Sequence, residues 1–173
     1  SGAFAATYSN WFKSNYQEMQ NLKILPDQFT GMDLKQPITR GEMCLLAVQA
    51  FEEATGNDLE LDGTQYFTDT NDTNITKAYE YGIVSGYPDG TFRPDARIRR
   101  AEAMTMINRV LCRMPQSESD LLDSMVTWPD NKPSDWHYLA VQEATNSHDF
   151  NRQGEVGESW TKLTSVPDWT RYQ

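Results

Sequence analysis

An internal repeat is the feature that most constrains the fold. Displacing the chain by 60 residues lays PITRGEMCLLAVQAF (37–51) on RIRRAEAMTMINRVL (97–111). Ile38 then pairs with Ile98, Arg40 with Arg100, Glu42 with Glu102 and Phe51 with Leu111. Upstream, a displacement of 59 lays LKILP (22–26) on YGIVS (81–85), a difference that a one-residue loop deletion accounts for. A repeat of this period means one supersecondary unit used more than once, each unit burying its apolar face against neighbours. Each unit reads as helix, glycine-containing loop, helix.

In the second helix of repeat 2, Ile98, Ala101, Met104, Ile107, Leu111 and Met114 recur at spacings of three and four, one apolar stripe. Repeat 1 presents the same face through Ile38, Cys44, Ala47 and Phe51, and Gly56 is placed to end that helix. Thr39 and Glu42 form T-x-x-E, a capping box. Repeat 2 has Arg99 in place of the threonine, so its box is incomplete and Asp95 or a backbone group has to help. Asp72 or Thr73 caps the helix that follows DTND. A third unit begins near 126, where WPDNKPSDWHYLAVQEAT (128–145) reads as a loop and then a helix with Trp136, Leu139, Ala140, Val141 and Ala144 on its apolar side. The following NSHDFNRQGEVGESWTKL leads into no I-T-R-x-E, and SVPDWTRYQ reads as a short docked segment or a frayed end. Polar breaks at NDLELDGTQ (57–65) and at Pro115 with QSESD divide the chain into units 1–60, 61–115 and 116–173. The only extended piece expected is the short QYFTDT (65–70).

Composition excludes several functions. A net charge of −10 leaves no basic stripe to neutralise phosphates, so nucleic acid is not a partner. No apolar run approaches the roughly 20 residues of a membrane span. The opening SGAFAATYSN lacks the charged and apolar regions of a signal peptide and reads as the start of a fragment or processed chain. Cys44 and Cys112 have neither metal nor disulfide spacing and are expected as two buried thiols. His137 and His148 have no zinc-type partners, and DTNDTNITKAYE (69–80) has Asn74 where a calcium loop needs glycine, so no metal or cofactor is expected.

At GIVSGYPDGTFRPD followed by I-x-R-A-E the sequence resembles the S-layer homology (SLH) domain family. Gly82, Ile83, Gly86, Tyr87, Asp89, Gly90, Phe92, Pro94, Ile98, Arg100, Ala101 and Glu102 stand at the family's spacing. Repeat 1 carries ITRGE (38–42), with Trp11 thirteen residues before Ile24. The family's F-x-D opening is Phe67-Thr68-Asp69 in repeat 2 and Trp128-Pro129-Asp130 in repeat 3, where Trp136 follows. The resemblance implies an all-α, three-pronged pseudo-trimeric spindle with a central three-helix bundle and grooves between the prongs. It also implies a non-catalytic, extracellular module at the cell wall, part of a larger polypeptide. Such a module binds an anionic, often pyruvylated, secondary cell-wall polysaccharide linked to peptidoglycan. In the family the arginine of T-R-A-E and the glycine-rich loop hold the acidic sugar.

The candidate ligand-binding residues are therefore Arg40, Glu42, Gly86, Tyr87, Asp89, Gly90, Arg100 and Glu102. Open N–H groups at a helix start favour an anion, and an arginine beside them adds a charge-assisted contact. Gly86 and Gly90 can adopt positive φ and admit a ligand near the backbone. Each residue also has a structural reading. Arg100 can pair with Glu102 or Asp95, the glutamates can cap, Pro88-Asp89-Gly90 is a turn, and Tyr87 and Phe92 can close the loop's base. Trp136, Trp160 and Trp169 are expected to pack beneath loops. Repeat 1 has DQFTGMDLKQ (27–36) where repeat 2 has its glycine loop, and repeat 3 lacks the arginine, so one or two working grooves are expected. The missing arginine and the acidic charge also admit a second reading, a degenerate scaffold that binds another surface protein.

Overall fold

The computed structural model describes residues 5–166, 168 and 170 of the 173, so Trp169 lies outside the described residues. The chain divides into two compact units, Ser1–Ile98 and Arg99–Gln173. The first holds α1 (Lys13–Asn21), α2 (Arg40–Thr55) and α3 (Thr73–Glu80). The second holds α4 (Arg100–Val110), α5 (Tyr138–Thr145) and an antiparallel hairpin of β1 (His148–Gln153) and β2 (Gly157–Leu163).

Local chemistry sets the helix boundaries. At the start of α2, the Glu42 N–H donates to Thr39 Oγ1 at 3.1 Å and the Thr39 N–H donates to Glu42 Oε2 at 2.8 Å, completing the expected box. Asp72 Oδ1 accepts from the N–H groups of Asn74 and Ile75 and so caps α3. At α4 the Arg99 N–H donates to Glu102 Oε2 at 3.0 Å, but a guanidinium has no acceptor to return, so only half a box forms. Three helices stop in the same way. Lys23, Gly82 and Cys112 take left-handed φ of 58°, 72° and 53°. The N–H groups of Ile24, Ile83 and Arg113 then reach back to the carbonyls of Met19, Ala78 and Asn108. That six-to-one bond is the Schellman closure. Between α1 and α3 the repeat seen in sequence is thus a repeat of backbone geometry, and Gly56 (φ 69°) ends α2 as expected.

In the first unit α2 packs on α3, with Met43, Cys44, Ala47, Val48, Ile75, Ala78 and Phe92 all buried. Tyr16, Leu25 and Phe29 form a cluster around α1 that Tyr8 and Ile38 flank. Burial pushes the Cys44 thiol up to about 12, which makes it an inert packing group.

Two findings overturn the sequence reading of the second unit. The fold is mixed, not all-α, because NSHDFNRQGEVGESWTKL (146–163), where repeat 3 lacks a second helix motif, forms the β1–β2 hairpin, with His148 opposite Leu163 and Gln153 opposite Gly157; the SVPDWTRYQ tail lies in part outside the described residues. A three-repeat helical spindle is therefore not what the chain builds. In addition, α4 ends at Val110, so Cys112 is a left-handed residue beyond the helix and is only half-buried. Ile107 and Leu111 of the expected stripe are exposed, whereas Met106 and Asn108 are buried. The Asn108 side chain donates to the Ala140 carbonyl of α5 at 2.9 Å, giving α4 and α5 a polar contact that apolar periodicity does not reveal. Trp160 is buried with Leu121 and Tyr138, but Trp136 is 71% exposed, edge-on to His137, and does not pack beneath a loop.

The hairpin is fastened by buried charge. Arg113 pairs with Glu143 Oε1 and Glu158 Oε2, both at 3.1 Å. His148 Nε2 faces the other oxygens of the same carboxylates, at 3.2 Å from Glu143 and 2.9 Å from Glu158. Nδ1 is 2.6 Å from the Asn146 carbonyl, and Trp160 stacks on the imidazole at a centroid distance of 4.0 Å. Burial opposes a charge on His148, but the hydrogen bonds to Glu143, Glu158 and Asn146 outweigh it and raise its pKa. Burial likewise opposes ionised Glu158, and hydrogen bonds with Glu143, His148 and Arg113 outweigh that and lower its pKa.

These directions fix a stability window. The histidine's contribution is complete below about pH 6.5 and is lost as pH rises through its raised value. The Glu158 contribution is present above the ordinary carboxylate range and is lost on acidification through its lowered value. Thermal denaturation followed by near-UV circular dichroism, which reports Trp160, should show the second unit most stable at mildly acid pH. The His148→Gln variant should lose the alkaline limb of that profile, and a profile still falling above pH 7 would exclude His148 as its source.

Candidate functional site

The loop from Val84 to Pro94 is assembled from its own backbone outward. Tyr87 N–H donates to the Thr91 carbonyl at 2.8 Å and Gly90 N–H to the Tyr87 carbonyl at 3.0 Å, closing the Pro88-Asp89-Gly90 turn. Gly90 has φ 81°, as a turn of this kind requires. Gly86 is needed for a different reason than positive φ. A Cβ there would lie 2.3 Å from the Phe67 ring, so only glycine lets the loop close on that aromatic. Asp69, the last residue of F-x-D, accepts from the N–H groups of Phe92 and Arg93, both at 2.8 Å. The Phe92 N–H foremost, against slight desolvation, holds the Asp69 carboxyl below its ordinary pKa. Asp89 accepts from the hydroxyl and N–H of Thr91 and from Arg93, which bring its pKa down to about 2.

Arg40, the first residue of α2, enters this loop. Its Nε donates to the Phe92 carbonyl at 2.9 Å and an Nη to the Ser85 carbonyl at 3.3 Å. The guanidinium lies 4.6 Å from the Phe92 ring centroid and 4.9 Å from that of Tyr87, while Arg93 sits 3.9 Å from the Tyr87 ring. The α2 start is itself covered. The N–H groups of Arg40 and Gly41 donate to the carbonyls of Ala96 and Pro94, and Thr39 bridges to Arg97. The open N–H groups expected beside Arg40 are thus engaged by the loop's outgoing strand. Of the candidate residues, Arg40, Gly86, Tyr87, Asp89 and Gly90 come together here, and Glu42 caps the helix beneath them.

Arg100 and Glu102 belong to the second unit and stand differently. Glu102 turns back to cap the Arg99 N–H. Arg100 is exposed and has no hydrogen bond or ion pair among the described residues, so its expected pairing with Glu102 or Asp95 does not form. Nor do the N–H groups of Arg100 and Ala101 meet an acceptor among the described residues. Sequence reasoning missed Asp69, Ser85 and Arg93. Asp69 served only as a landmark of F-x-D, although a carboxylate beside a turn is a natural acceptor for backbone N–H groups. Ser85 contributes only a carbonyl, which no side-chain pattern betrays.

A profile of the S-layer homology domain matches residues 68–104, the stretch from the F-x-D aspartate region through the loop to the start of α4. Over those residues the chain is similar to S-layer homology domains. Its relatives include Cell surface glycoprotein 1 of Acetivibrio thermocellus, 35% identical over 89 residues, covering 51% of this chain and 4% of the relative. The Cellulosome-anchoring protein of the same organism is 32% identical over 120 residues, covering 65% of this chain and 25% of the relative. The Surface layer protein of Brevibacillus choshinensis is 31% identical over 115 residues, covering 64% of this chain and 10% of the relative. The chain therefore spans a quarter or less of the length of these relatives. No solved structure matches it. The S-layer homology domain and these relatives agree with the expected extracellular, cell-surface placement, and among the described residues no helix is long and apolar enough to cross a membrane.

The two repeated arginines should separate by stability. Arg40→Ala strips the buried Phe92 carbonyl and the part-buried Ser85 carbonyl of a donor and should cost about 2–4 kcal/mol. Arg100→Ala, on an exposed side chain without partners, should change stability by less than about 0.5 kcal/mol. Urea unfolding of both variants measures the difference.

Proposed function

We propose that the chain is a non-catalytic anchoring module that binds an anionic secondary cell-wall polysaccharide, with Arg100 as its principal anion contact. The observation that carries this reading is the start of α4. An exposed guanidinium stands there beside two N–H groups that no described residue engages, at the positive end of the helix dipole. An acidic sugar would satisfy the N–H groups and the arginine together. Glu102 holds the helix start in shape by its bond to the Arg99 N–H. Within the first unit, Arg40 and Glu42 fix the loop on which Gly86, Tyr87, Asp89 and Gly90 stand. The names of the relatives, one an anchoring protein and another a surface layer protein, support attachment to the envelope as the role of the larger polypeptide.

Sedimentation with purified cell walls tests the reading. Arg100→Ala should lower retention about 10-fold or more, the value of a charge-assisted contact, with unchanged melting temperature. Walls stripped of their secondary polymer should retain none of the parent protein. Full retention of Arg100→Ala would refute the arginine mechanism. Retention that survives polymer removal, or that added polymer fails to displace, would favour the scaffold reading, which the missing third arginine supports.

A further inference from the structure

The ionic cluster that fastens the hairpin is built from metal-ligand atoms, and a proton alone does not reconcile its contacts. His148 Nε2 lies 2.9 Å from Glu158 Oε1 and 3.2 Å from Glu143 Oε2. The ligand atoms that these three side chains offer all fall within 4.8 Å of one another. The same Nε2 is also 2.8 Å from an Nη of Arg113. Either protonation state of the ring then leaves a repulsive contact. With a proton on Nε2, two cationic nitrogens, both donors, face each other across that short gap. Without it, Nε2 accepts from Arg113 but turns its lone pair toward two carboxylate oxygens. A metal cation held by Nε2 and both carboxylates removes both conflicts once Arg113 withdraws.

We propose that Glu143, His148 and Glu158 form a zinc site that joins α5, β1 and β2. The surrounding groups already hold the ligands as a metal requires. Nδ1 is 2.6 Å from the Asn146 carbonyl, so the ring N–H donates there and Nε2 is the nitrogen left for the metal. Trp160 Nε1 donates to Glu143 Oε2 at 2.8 Å and fixes that carboxylate. One imidazole and two carboxylates suit zinc, whose bonds of about 2.0–2.2 Å set tetrahedral ligands about 3.3 Å apart, close to the spacings in place. Calcium wants six or more oxygens, which this cluster does not offer. Arg113 is the member able to leave, because 32% of its side chain is open against 0–3% for the other three. Its departure opens the fourth position to water, and the charge of zinc then balances the two carboxylates. The sequence concealed the set because Glu158 stands across the hairpin from His148, outside any short zinc motif. The proposal is independent of the wall-binding reading and uses none of its residues.

Isothermal titration of the untagged, metal-stripped whole chain with zinc chloride and with calcium chloride tests the site near neutral pH. One zinc should bind per chain, at least about 10-fold more tightly than calcium. His148→Gln should weaken zinc at least about 10-fold. His137→Gln should bind as the parent does, since that ring faces Asn131 instead. Arg113→Gln removes the competing cation but no ligand, so it should tighten zinc about 10-fold, the value of one charge-assisted contact. Should His148→Gln not fold, the zinc–calcium comparison and the direction of the Arg113→Gln change decide by themselves. No zinc binding below about 1 mM overturns the proposal. So does calcium binding as tightly as zinc, which would mean attraction to the acidic surface alone. Zinc weakened by Arg113→Gln, or by His137→Gln in place of His148→Gln, overturns it equally.

Discussion

The first unit depends on one buried cation that serves backbone carbonyls. Arg40 ties the carbonyls of Ser85 and Phe92 to the first turn of α2 and lies against the rings of Tyr87 and Phe92. A lysine could not do this, because the contact needs two donors held in a planar fork and a face that stacks on aromatics. The helix start and the loop strand then lock reciprocally. Arg40 and Gly41 donate to Ala96 and Pro94, and Ile98 donates back to Ile38. Gly41 permits the close approach, since a Cβ there would meet Pro94 at 3.2–3.3 Å. The matching residue at α4 is Ala101, and no described backbone acceptor covers that helix start. The same sequence position therefore has two fates. Where a glycine loop docks on the helix start, the arginine becomes a strut; where none docks, it faces solvent.

Much of the first unit was legible because its determinants are local. Thr39 with Glu42, Asp72 before α3 and Gly56 after α2 each act within one turn of chain, and each formed as read. The repeat was legible through its motif residues, Ile38 and Ile98, Arg40 and Arg100, Glu42 and Glu102, which recur at one spacing. Gly86 was recognised but for the wrong cause: its constraint is the Phe67 ring, a neighbour nineteen residues away that no local rule identifies. The engagement of Arg40 was equally non-local. Its partners are carbonyls at 85 and 92, which carry no side-chain signature.

The second unit was least legible because its interior is partly ionic. The inward positions of the hairpin include His148, Glu158 and Trp160, so a reader looking for apolar alternation sees polar, charged and aromatic residues in turn. Period-two patterning signals a strand only when the buried side is apolar. Here two carboxylates, a guanidinium and an imidazole neutralise one another under a tryptophan. Replacing such a network by apolar groups need not weaken a fold, whereas removing one member strands the rest. The arrangement ties β1, β2, α5 and the turn after α4 to one another through specific partners, which fixes their register more narrowly than apolar contact does.

The overall charge of −10 sits awkwardly beside an anionic ligand until distance is considered. At physiological ionic strength the field of an exposed charge decays over about 8 Å, so an incoming polymer responds to the groups it touches rather than to the sum. Around Arg100 those groups are a guanidinium and two helix N–H donors that no described residue engages.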